Sequence, residues 1–266
     1  MTMSLETPGR PGLYRLLAWL SPSFPTGAFS YSHGLEAAVA GGAVSDRASL
    51  EAWIAAIVAR GGGRIDADIL REAYQAAAVG DAAALDTANR RGTAFRASAE
   101  LALESAQPGA AFLAAYEAAW CAPHPGPLPA RGERERSGTA VFTLAPQSGE
   151  REGPIAQRWE GEGQTPGEVC HSAVLGAAAA RAGIALDDAL TGYLLALAGN
   201  LVSAGLRLGI IGQTDGQRIL CALEPVVARA TDAATARDPA DFGGASFAAD
   251  LAAMAHETQY SRLFRS

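Results

Sequence analysis

The run Leu190-Thr191-Gly192-Tyr193-Leu194-Leu195-Ala196-Leu197-Ala198-Gly199-Asn200-Leu201-Val202-Ser203-Ala204-Gly205-Leu206-Arg207 decides the fold. Leu190, Tyr193, Leu194, Leu197 and Leu201 recur at helical spacings and so share one face of a helix. Leu195, Val202 and Leu206 fill the opposite face. A helix apolar nearly all round belongs at the centre of a packed body. The stretch from about Leu194 to Ile211 is also the best candidate for a membrane span, but Asn200, Ser203 and Arg207 interrupt it. A buried helix is the expectation, with no membrane.

The same periodicity runs outward in both directions. Leu50, Trp53, Ile54, Ile57 and Val58 follow the i, i+3, i+4, i+7, i+8 rule, with Ser45 and Asp46 as starts and Gly61-Gly62-Gly63 as the stop. Further helices are expected near 12–20, 34–40, 65–79, 82–91, 93–105 and 109–120, with Asp81 capping the one from 82. Ile219, Leu220, Leu223, Val226 and Val227 mark a helix that Pro225 should kink or shorten. Phe247, Leu251 and Met254 mark the last. No strand-period alternation of useful length competes. The class is all-α, a single globular multi-helix domain over 12–266 behind a flexible N-terminus at 1–11.

One segment breaks the pattern. Residues 122–168 hold seven of the chain's 14 prolines, and Pro123-His124-Pro125-Gly126-Pro127-Leu128-Pro129 cannot be helical. Removing it would join a helix ending near Trp120 to one starting near Val169. It reads as a long, low-complexity, disordered surface insertion, which loop-closure entropy tolerates.

Composition excludes several functions. The net charge of −7, with no basic block, argues against nucleic acid as a partner. All 21 basic residues are arginine, which grips carboxylates and phosphates in a fork that lysine cannot copy. Cys121, Cys170 and Cys221 are too few and scattered for a disulfide framework, and the apolar run 16–20 is too short for a signal peptide, so the cytoplasm is expected. Catalytic constellations are wanting. Glu168-Val169-Cys170-His171 is a lone Glu-x-x-His, and Gly61-Gly62-Gly63 lacks the Gly-Lys-Ser/Thr of a phosphate loop. No catalytic residue, metal ligand or cofactor is assigned. A metal-dependent helical enzyme centred on Glu168, His171 and His256 stays as a remote alternative.

Three polar-aromatic blocks remain. The first, Ser21-Pro22-Ser23-Phe24-Pro25-Thr26-Gly27-Ala28-Phe29-Ser30-Tyr31-Ser32-His33-Gly34-Leu35-Glu36, reads as an extended loop too apolar to be idle. At least one of its three aromatics is expected to fold over the chain's own core. The second, Gly209 to Arg218, is a helix–helix corner with Thr214 or Asp215 as cap and Gln213, Asp215 and Arg218 as candidate contacts. The third is the tail His256-Glu257-Thr258-Gln259-Tyr260-Ser261-Arg262-Leu263-Phe264-Arg265-Ser266. It interleaves aromatics with arginine, the side chains that concentrate at binding hot spots. Continued as a helix, it would place Tyr260 and Phe264 on one face with Leu263 beside them. Packing of the tail back on its own domain is the equal alternative.

These blocks resemble those of the UreF family of urease accessory proteins. Residues 21–36 look like the family's N-terminal signature. Asn200-Leu201-Val202-Ser203-Ala204 through Arg207, followed by Gly212-Gln213-Thr214-Asp215-Gly216-Gln217, look like its central one, and 256–266 look like its ending. The likeness covers about 12–121 and 169–266; the stretch 122–168 departs from it. It implies an all-helical, cytoplasmic, non-enzymatic protein that dimerises, binds the partner UreD (also called UreH), and recruits the GTPase UreG. Through that complex it would act on apo-urease as nickel is inserted. It further implies a tail that orders against UreD/UreH, with Arg262 and Phe29 near the surface that recruits UreG. On this basis Phe24, Phe29, Tyr31, His33, Glu36, Gln213, Asp215, Arg218, His256, Glu257, Tyr260, Arg262, Leu263, Phe264 and Arg265 are the expected partner contacts. A role as a GTPase activator, with Arg262 or Arg218 as an arginine finger, is the second reading.

Overall fold

A computed structural model describes residues 10–121 and 169–266; the expected insertion over 122–168 and the first nine residues of the expected flexible start lie outside them. The described residues form ten α-helices and no strand. These are α1 Arg10–Trp19, α2 Leu35–Ala40, α3 Arg47–Arg60, α4 Gly62–Val79 and α5 Ala82–Ala94, then α6 Ala99–Ala119, α7 His171–Arg181, α8 Leu186–Arg207, α9 Gln213–Ala236 and α10 Phe247–His256.

Local chemistry sets several of the ends. Asp46 Oδ1 accepts from Ser49 N at 2.8 Å while Ser49 Oγ accepts from Asp46 N at 3.1 Å, a reciprocal capping box at the start of α3. Asp81 caps α5 through Ala84 N at 2.9 Å. The corner before α9 differs from expectation. Gly212 is the cap, without a side-chain bond, and Thr214 and Asp215 lie inside the first turn.

The middle of the molecule is α7 packed on α4. Eight consecutive residues, Ser172 to Ala179, are buried. Small side chains allow that enclosure: a Cβ on Gly176 would lie 2.3 Å from the Leu70 carbonyl oxygen. The long apolar helix α8 buries Leu190, Tyr193, Leu194, Leu201 and Val202 against its neighbours, as expected, but Leu195 on its second face is half exposed. Among the described residues, α8 alone is long and apolar enough to cross a membrane, and half of its apolar stretch is buried inside this body.

Helix extents depart from expectation in two places. The segments 93–105 and 109–120 are one helix, α6, which begins only at Ala99 behind the cap Ser98 and continues through Pro108. Likewise α9 runs 24 residues through Pro225 and is not shortened. Proline removes one hydrogen bond, and at Pro225 the residue four back is exposed Cys221, where solvent can take up the freed carbonyl. The last helix is also reversed. Phe247, Leu251 and Met254 are exposed, while Ala249, Ala253 and His256 face inward.

Candidate functional site

The tail does not continue α10. After His256 the chain turns and runs irregularly over the loop that precedes α2 and the flank of α6. Tyr260 and Phe264 therefore part company: Tyr260 is fully exposed and Phe264 is 4% exposed.

Three carboxylates hold the tail. Glu36, in the first turn of α2, accepts from the backbone N–H of Leu263 at 2.7 Å and of Phe264 at 2.9 Å. Glu100 and Glu104 stand one turn apart on α6. Glu100 pairs with Arg262 at 2.5 Å, and Glu104 accepts from Ser266 Oγ at 2.7 Å. Enclosed His256 lies between two of them, Nδ1 at 2.6 Å from Glu100 and Nε2 at 3.2 Å from Glu36. Backbone bonds complete the seam: Arg265 N donates to Ser30 O at 2.9 Å and Ser32 N to Ser266 O at 3.1 Å. The Phe264 ring lies under the Arg207 guanidinium, 4.1 Å from its centroid. Glu257 reaches across to the start of α6, accepting from Ala99 N at 2.7 Å.

His33 links the loop to the same helix. Its Nδ1 is 3.2 Å from Glu104, and its backbone adopts φ 56°, the only positive φ of a non-glycine residue among those described. Burial would lower its pKa, but the Glu104 carboxylate outweighs burial and raises it.

The first block and the tail thus meet at α8, where Asn200 donates to Tyr31 O at 3.2 Å. Of the expected partner contacts, Tyr31, His33, Glu36, His256 and Phe264 are buried and hold the chain together, because the carboxylates and backbone groups they satisfy are its own. Phe24 packs on the core ring of Phe112, centroids 5.1 Å apart. Phe29 (65% exposed), Leu263 (61%) and Tyr260 stay outside, with Arg262 half exposed and Arg265 exposed. At the corner, Gln213 is exposed, and Arg218 pairs with Asp215 at 2.9 Å. Among the described residues no hydrogen bond or ion pair joins them to the tail. His171 sits between Phe112 and Tyr193 while His256 is held by Glu36 and Glu100. Glu168 lies outside the described residues, and among those described no group of His, Cys, Asp and Glu is arranged to hold a metal ion.

Sequence reasoning missed the most connected polar centre. Asp66, inside α4, accepts from Arg96 at 2.7 Å, Ser172 Oγ at 3.1 Å and Tyr193 OH at 3.0 Å. Arg96 also donates to Gly92 O at 2.7 Å and to Cys170 Sγ at 3.3 Å. Burial alone would raise the Asp66 pKa; the guanidinium and the two hydroxyls hold it below the ordinary range. The signal available was an aspartate on the Ile65, Ile69 and Leu70 side of an otherwise apolar helix face.

Fold and site define a helical module that ties down its own tail while presenting part of it. The UreF family profile matches residues 44–224. The urease accessory protein UreF of Azorhizobium caulinodans is 40% identical over 266 residues, covering 100% of both chains. Those of Rhodopseudomonas palustris and Granulibacter bethesdensis are each 41% identical, over 96% and 97% of this chain and 91% and 95% of their own. The chain belongs to the UreF family of urease accessory proteins. Such proteins assist an enzyme, and this chain is not itself one.

Proposed function

We propose that the chain is a cytoplasmic scaffold for urease maturation. It dimerises, holds a UreD/UreH-type partner, and recruits and regulates a UreG-type GTPase while nickel, the cargo, is delivered to apo-urease. The observation that carries this reading is the divided tail. Phe264 and the backbone at 263–264 are clamped by the body, and that clamp leaves Tyr260, Leu263 and Arg262 facing outward beside Phe29. Phe247, Leu251 and Met254 are exposed as well, on α10, the helix that leads into the tail. Aromatic, aliphatic and arginine side chains held in place are what a partner surface requires. The acidic net charge gives nucleic acid no foothold.

Removing residues 256–266 is expected to abolish capture of the UreD/UreH partner while the helices remain folded by circular dichroism. Undiminished capture by the truncated chain would refute the reading. One observation favours activation of the GTPase as a second role: among the described residues, exposed Arg218 has only Asp215, three residues away, as an ion-pair partner. Single-turnover GTP hydrolysis by UreG, with and without the chain, separates the two. An arginine finger accelerates it by about 10³–10⁵.

A further inference from the structure

We propose that the cleft beneath the loop from Trp19 to Phe29 receives an uncharged aromatic side chain from a partner polypeptide, an inference that rests on the recruitment reading above. The cleft has a volume of about 420 Å³ and is lined by Trp19, Phe24 and Pro25 of the loop region, Gly199 and Ser203 of α8, and His171. Although 18% of the chain is charged, no Asp, Glu or Arg among the described residues lines this space. A charged occupant would lose its hydration without gaining a counter-ion.

His171 fixes the polar requirement. Its ring has no hydrogen-bond partner among the described residues and is flanked by Phe112 and Tyr193, with centroids 5.8 Å and 5.7 Å away. Burial pushes its pKa down to about 4, so near neutrality it is an uncharged imidazole with one donor and one acceptor nitrogen. A group with an apolar body and a single polar tip, such as a tyrosine or tryptophan side chain, satisfies both the walls and the imidazole. The occupant is carried by a protein because the cleft is continuous with the presented surface. Exposed Phe29 forms part of its rim, and the adjoining Ser30 is bonded to the tail at Arg265.

Gly199 supplies the test. A Cβ placed there meets nothing within 4 Å, so a larger side chain grows into the cleft without striking the protein. Leucine is also better than glycine inside a helix, so Gly199→Leu is expected to fold and melt no lower than wild type. Full-length Gly199→Leu should capture the UreD/UreH and UreG partners at least about tenfold more weakly, as loss of a hot-spot pocket requires. Gly199→Ala should remain within about twofold of wild type. Equal capture by Gly199→Leu and wild type overturns the cleft proposal and leaves the recruitment reading standing. If light scattering shows that Gly199→Leu loses only self-association, a second copy fills the cleft and the proposal is likewise overturned. A wild-type chain that captures neither partner overturns both readings.

Discussion

Glu36→Ala should release the tail while leaving the helical body intact. The Glu36 carboxylate is 7% exposed and accepts two tail N–H groups, at 2.7 Å and 2.9 Å, while also facing His256 Nε2 at 3.2 Å. A hydrogen bond to a charged group contributes about 1.5–3 kcal/mol. Losing both tail bonds therefore weakens docking by about 3–6 kcal/mol, a factor of roughly 10²–10⁴. The body is spared because water can satisfy a detached tail. Hydrogen exchange on the full-length chain reads this directly. The amides of Leu263 and Phe264 should exchange at least about 10²-fold faster in the variant, with those of α4 and α7 unchanged. Glu36→Gln, which keeps an acceptor oxygen but no charge, should fall between. Wild-type protection at Leu263 and Phe264 in Glu36→Ala would show that this carboxylate does not hold the tail. Collapse of protection in α4 and α7 would show that it supports the body instead.

Asp66→Ala leaves buried Arg96 without its counter-ion and should cost about 3–5 kcal/mol in urea denaturation at pH 7. Because the Asp66 pKa is lowered by folding, its contribution is present above the unfolded value of about 3.9 and is lost as pH falls through the folded one. The wild-type and variant curves should therefore converge under acid. His33 has the opposite sign. Its pKa is raised by folding, so its contribution is full below about pH 6.5 and fades as pH rises through the folded value, a dependence that Glu104→Gln should flatten. Gly176→Ala drives a methyl group against the Leu70 carbonyl and should destabilise by about 1–3 kcal/mol in thermal melts. Arg262→Ala should weaken UreG recruitment by about 2 kcal/mol in a titration, and an unchanged affinity would remove Arg262 from the surface.

The helices were legible where periodicity, caps and glycine stops agreed, as in α3 with its Asp46 box and α8 with its leucines. They were misread in extent where a helix runs on through a proline. Pro108 and Pro225 each remove one bond from a long helix, and packing of the remaining turns outweighs that loss. The central position of α7 was hidden because alanine and glycine carry little hydrophobic signal, although their small size is what permits the approach to α4. At the site, residue types marked the right blocks but could not say which way each side chain turns. Glu36 and His256 looked like surface groups, and only the route of the tail past α2 and α6 places them inside. The Asp66 centre joins α4, α7, α8 and the segment before α6, a convergence that no local spacing encodes.

Clamping the tail also bears on how a partner could bind it. A free ten-residue segment would lose about 1–2 kcal/mol of backbone entropy per residue on docking, enough to offset most of a small interface. Here the chain meets that cost through Glu36, Phe264 and the seam to Ser30 and Ser32, so Tyr260 and Leu263 are offered from an ordered support. Arg262 differs from the rest of the tail in one respect. Its ion-pair partner Glu100 also holds His256 at 2.6 Å, so when Arg262 swings away the buried carboxylate keeps a partner. A carboxylate or phosphate on an incoming protein can therefore take the half-exposed guanidinium without leaving Glu100 unpaired. Glu36 differs because its carboxylate, besides facing His256, accepts directly from the backbone N–H groups of Leu263 and Phe264, so its removal unfastens the tail backbone itself. On this accounting Arg262→Ala and Glu36→Ala should separate cleanly: the first loses the partner and keeps the tail ordered, and the second loses both.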